Sequence, residues 1–157
     1  MTAVRETFLR ELRRIDSLSQ VSSVLSWDEQ VNLPPGKASS SQRAAQSSAL
    51  AELVHREFTG SAFSDLLQRV EEDTDEPDED LEIILREVRR DLDQAQKLPS
   101  DFVARKASHE SSTYHLWKSA REKNNFAAFA PALEKTMQLA RDEAEYVGYR
   151  DNPYDYH

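Results

Sequence analysis

The chain has 157 residues, enough for one domain whose folding buries roughly two-thirds of the surface that its unfolded form exposes. Its 29 acidic and 20 basic side chains give a formal charge of −9, a field that repels phosphate backbones and removes nucleic acid as a default partner. Cysteine is absent, which excludes disulfides and thiolate metal sites and leads us to expect a reducing, cytoplasmic setting.

Charges recur from Arg5 onward, so no apolar signal core opens the chain, and no run approaches the length needed to cross a bilayer. Three glycines and few β-branched runs predict long helices joined by short loops. The expected fold class is all-α: about six helices in antiparallel hairpins, in a single domain over residues 1–157. No internal repeat recurs at a fixed period.

The first helix is expected from about Ala3 to Gln30, with Val4, Phe8, Leu12, Ile15, Leu18, Val21, Val24, Leu25 and Trp27 near helical spacing. Leu33-Pro34-Pro35-Gly36 breaks it, because proline lacks the amide donor and disfavours helix in the residue before it. A second helix is expected over about Ser39 to Phe58, striped by Leu50, Leu53, Val54 and Phe58, and a shorter one over Ala62 to Glu72. The segment Glu71–Asp80 then carries eight carboxylates in ten residues. A calcium loop needs glycine at its tight turn, where this run has proline instead, so it reads as a solvated acidic loop. Its last acids fall in the first turn of the next helix, with Pro77 near the first position. That fourth helix is expected over about Pro77 to Lys97, with Leu81, Ile84, Leu85, Val88 and Leu92 inward. Leu98-Pro99 stops it, a fifth helix follows from Ser100 to about Lys123, and a sixth runs from Phe126 to Val147 before Gly148.

The stretch Ser108–Trp117, S-H-E-S-S-T-Y-H-L-W, looks at first like the zinc helix of a metalloprotease. That motif is H-E-x-x-H, since residues four apart share a helical face. Here Thr113 stands four after His109, and His115 stands six after it. At about 100° per residue, the two rings diverge by about 120° and cannot chelate one ion from a continuous helix. Glu110 is therefore no zincin base. Glu52-Leu-Val-His55 is a single E-x-x-H, whereas di-iron bundles need two plus two further glutamates, so His55 reads as a histidine near a helix end. His157 is terminal. Ser108, Ser111 and Ser112 neighbour histidines, but there is no G-x-S-x-G elbow and no source of an oxyanion hole. Tyr114 and Trp117, three apart, read as one buried stripe. From the residues alone, no catalytic, cofactor-binding or metal-binding residue is assigned.

The wording of the chain is informative where its chemistry is not. Ser26-Trp27-Asp28 followed by Leu33-Pro34-Pro35-Gly36, Arg86-Glu-Val-Arg-Arg-Asp91 with Lys97-Leu98-Pro99, Tyr114-His115-Leu116-Trp117, Ala120-Arg121, and Asn124-Asn125-Phe126 through Pro131 stand in order along it. Leu133-Glu134-Lys135 and Glu145-Tyr146 through Pro153-Tyr154-Asp155 complete the series. This ordered set, from about Val21 to Asp155, resembles the N-terminal region of the carboxypeptidase Taq family of thermostable zinc metallocarboxypeptidases. Two positions depart from the family pattern: Lys37, where a second glycine is usual, and Ala45, where glutamate is usual. In the family, the zinc helix lies well downstream of the region matched here. Ser108-His109-Glu110-Ser111 mimics a later His-Glu-Ser motif, but its flanks fix it to an early helix.

The resemblance implies a helical wall over one side of a substrate cleft, with zinc belonging to the complete family enzyme and no cofactor held by this chain. The expected partners are a second copy or a catalytic-half chain, with no nucleic acid and no membrane. The alternative is a free-standing acidic interaction or dimerisation module. A di-iron or haem bundle is the third possibility, because helical bundles host both.

Overall fold

The structure, a computed structural model, describes residues 3–34, 36–73 and 78–156. Six α-helices follow one another: α1 (Ala3–Val31), α2 (Lys37–Thr59), α3 (Ser61–Glu71), α4 (Glu79–Ala95), α5 (Ser100–Glu122) and α6 (Phe126–Val147), with a short 3-10 turn at Pro153–Tyr156. The described residues contain no strand. The all-α expectation holds, and none of the described helices is long and apolar enough to cross a membrane.

Local chemistry sets the boundaries. Gly36 precedes α2 at φ 146°, a backbone region that side chains rarely adopt, so α2 begins at Lys37 and not at Ser39. Asp78 caps α4 by accepting from the Leu81 amide at 3.1 Å, and Glu79, Asp80 and Glu82 complement the dipole of its first turn. The fourth helix therefore starts at Glu79, later than expected, because a side-chain acceptor takes the capping position. Pro77 lies outside the described residues. Between α5 and α6, Asn124 adopts φ 48°, which asparagine tolerates better than most residues. Asn125 then caps α6 by accepting from Ala128 N at 3.2 Å. Gly148 closes that helix at φ 88°.

The core lies at one end. Phe8 and Ile15 of α1 meet Phe63, Leu67 and Val70 of α3 and Leu81 and Leu92 of α4. The predicted α4 stripe packs here, with Ile84, Leu85 and Val88 partly buried beside it, as are Val54 and Phe58 from the end of α2. Phe8 stacks on Phe63 with ring centroids 5.8 Å apart. A second layer forms where α5 runs along α2 and α6 covers α5. Phe102 is fully buried there and meets Tyr146 edge-on at 5.2 Å.

Two sequence expectations fail on burial. Val21, Val24 and Trp27 keep helical spacing but face outward, since only the first half of α1 lies on the α3–α4 core. Trp117 is likewise on the surface, its ring under the Arg121 guanidinium at 5.3 Å.

Candidate functional site

The polar chemistry of the molecule lies in the seams between helices. At the α1–α5 seam, the Glu29 carboxylate is buried and its Oε1 accepts two hydrogen bonds. One comes from Ser111 Oγ at 2.6 Å and the other from His115 Nε2 at 2.9 Å. Residues four apart on α5 supply both donors, so a single helix face grips one carboxylate. A serine nucleophile needs a base that takes its proton and an acid that orients the base. Here the serine and the histidine both donate to the same oxygen. No imidazole accepts from Ser111, and the triad-like composition has the wiring of a tie.

At the α1–α2 seam, Arg43 is buried and forks three ways: Nε to Gln46 Oε1 at 3.1 Å, one amino group to the Leu25 carbonyl at 2.5 Å, and the other to Asp28 Oδ2 at 2.5 Å. The Arg43 bond first, and the Asn32 bond second, hold the Asp28 carboxyl below its ordinary 3.8. The planar guanidinium suits this task because its donors diverge in a fixed plane.

At the α5–α6 seam, His109 is buried and lies 2.9 Å from Thr136 Oγ1. The Thr136 hydroxyl donates to the Ala132 carbonyl at 3.0 Å, and Thr113 Oγ1 lies 3.3 Å from the same His109 nitrogen, Nε2. Lys106 Nζ meets the buried Glu143 Oε2 at 2.5 Å nearby. A groove of about 730 Å³ opens beside His109, lined in part by Glu52, Asp101, Arg105, Ser108 and Lys135. His55 donates to the Leu98 carbonyl at 3.0 Å, which joins α2 to the α4–α5 turn.

His109 therefore faces α6 while His115 faces α1, and the divergence read from their spacing is the observed one. Burial above all, and Lys135 after it, push the His109 imidazole below its ordinary 6.5, against the Ala132 backbone and Glu110, which pull it up. A histidine whose folded value is lowered contributes stability above its unfolded value. That contribution is lost as pH falls from about 6.5 through the lowered folded value, because the unfolded chain takes the proton first. Urea midpoints should therefore decline between pH 7.5 and pH 5, and His109→Gln should flatten that decline. An identical slope in the variant would refute the assignment.

The sequence reading missed Glu29 and Arg43. Neither sits in a recognisable catalytic spacing, and only the helix crossing shows that each is buried against partners far along the chain.

A family model described as the carboxypeptidase Taq (M32) metallopeptidase matches residues 7–156. The chain belongs to that family. Thermostable carboxypeptidase 1 of Pyrococcus furiosus is 31% identical over 149 residues, covering 94% of this chain and 29% of the relative. The protein of the same name from Thermus thermophilus is 27% identical over 147 residues, covering 92% and 28%. The solved Pyrococcus furiosus carboxypeptidase superposes with a TM-score of 0.74 at 29% identity over 99% of this chain and 31% of that one. The structure titled BsuCP gives a TM-score of 0.89 at 23% identity, over 98% and 31%, a likeness of fold alone. The chain thus spans less than a third of the length of the relatives it matches.

Within the family frame, the ordered wording acquires a physical basis. Asp28 of Ser26-Trp27-Asp28 and Arg43 form the α1–α2 clamp. The two departures, Lys37 and Ala45, are both exposed and take no part in it. Metallopeptidase chemistry asks for three protein ligands converging on one ion with a fourth position open. Among the described residues, no group of three His, Asp or Glu side chains is so placed. His55, His109 and His115 are each bound to a different helix or turn. The described residues do not fit the metal.

Proposed function

We propose that this chain is the N-terminal helical wall of a zinc carboxypeptidase that removes C-terminal residues from peptides, and that the catalytic ion and its water belong to polypeptide outside it. The observation that carries this reading is the match over residues 7–156 to relatives more than three times as long. The directions of His55, His109 and His115 support it, since each is held against a different helix or turn and the three do not converge. Relatives named carboxypeptidase supply the reaction class. The proposed setting is the cytoplasm, on the absence of cysteine.

The purified chain, incubated with zinc and a peptide bearing a free C-terminal carboxylate, is expected to release no amino acid above a protein-free control. Its zinc content after dialysis is expected to stay well below one ion per chain. Sustained zinc-dependent turnover would overturn the reading.

Exposed apolar side chains favour a partner. Val24, Val31, Phe126 and Met137 are each more than half exposed, and such faces promote association. The proposed partner is a second copy or a catalytic-half chain. A free-standing interaction or dimerisation module would show the same faces.

A further inference from the structure

The second half of α1 is the most unusual surface of the molecule. Residues Ser17–Trp27 read S-L-S-Q-V-S-S-V-L-S-W, eleven positions without a charge in a chain that is 31% charged. Leu18 and Leu25 are partly covered, while every other residue from Ser19 to Trp27 is exposed. A helix standing in water normally carries charged residues on its solvent face, and charge pairs four apart support it. This stretch has none, and serine and valine are indifferent helix formers. Helices of this composition take their stability from packing. Val21, Val24, Trp27 and Val31, exposed by 46%, 63%, 59% and 61%, line up three and four residues apart along one outward ridge.

We propose that this ridge is a docking face for the body of a family-length carboxypeptidase, the part that the matched relatives have beyond the region shared with this chain. The inference rests on the functional reading above and deepens it by naming the face that meets the body. Three observations select this occupant over a second copy. The relatives carry more than two-thirds of their length outside the match, which is ample covering material. Two copies at −9 each repel one another. Four side chains on one helix also fall short of the roughly 800 Å² per partner that a standard interface needs, whereas a larger body can cover this ridge along with other faces.

The test is a graft. The whole chain replaces the matched part of the Pyrococcus furiosus thermostable carboxypeptidase 1, and melting is followed for the graft and for the isolated chain. Val24→Asp with Trp27→Asp is expected to lower the graft's Tm by more than about 10 °C and to leave the isolated chain within about 3 °C of its parent, because both side chains are exposed there. In a Trp117→Phe background, the emission lost on Trp27→Phe should lie at shorter wavelength in the graft than in the isolated chain. If the unsubstituted graft fails to melt as one unit, the reading of the chain as part of such an enzyme falls, and this inference falls with it. If the graft melts as one unit and tolerates the two aspartates, while Leu133→Asp with Met137→Asp on α6 breaks it, only the choice of face is wrong. A dimer of the isolated chain that the α1 substitutions dissociate in sedimentation would assign the ridge to a second copy and overturn the proposal.

Discussion

Phe8→Ala is expected to destabilise the chain by about 3–5 kcal/mol, the usual range for emptying a fully buried aromatic site. Phe8 has no exposed surface, and its ring lies against Phe63 where α1 meets α3 and α4. The helices around it are fixed by one another, so the cavity cannot close without moving three elements. Set against a total stability of about 5–15 kcal/mol for a domain of this kind, the loss is a large fraction. Thermal melting by circular dichroism should fall by roughly 6–20 °C for a chain of this length. Phe8→Leu keeps most of the volume and should recover most of the loss. A Phe8→Ala variant within a degree or two of the parent would mean that the core described here does not hold the fold.

Arg43→Ala is expected to cost about 2–4 kcal/mol, because it strips three partners at once from a buried position. The Leu25 carbonyl and the Gln46 amide oxygen lose a donor, and Asp28 loses the group that lowers its proton affinity. The Asp28 carboxyl should therefore move back up toward 3.8, which an NMR titration of the variant reads directly. Asp28's own contribution is present above about pH 3.8 and is lost as pH falls through its lowered folded value, so the variant should show less of this acid loss. Arg43→Lys is not expected to rescue, since one ammonium cannot reach three acceptors in diverging directions. Full rescue by lysine, or an unmoved Asp28, would reduce the clamp to a single charge contact.

These two residues also mark the limits of what the chain displays as text. Phe8 was legible: it stands at helical spacing with Val4, Leu12 and Ile15, and all four reach the core or its margin. Arg43 was not. Nothing in its neighbours says that it is buried or that its fork reaches back 18 residues to Leu25. Glu29 was less legible still, because the Ser111 and His115 side chains that bind it stand 82 and 86 positions away. Trp27 misled in the opposite direction. Its spacing continues the inward stripe, but the stripe outlasts the core that covers it.

The sequence by itself determined the all-α class, the number and order of the helices and the family, since helical period, proline and glycine breaks and ordered wording are all local properties of the chain. It also determined that His109 and His115 cannot share an ion, because their angular separation follows from helix geometry alone. Tertiary structure alone decided which polar groups are spent in seams, which way each histidine points, and that one face of the second half of α1 stands uncovered. Those facts depend on how separate helices cross, and burial is a property of what lies opposite a side chain.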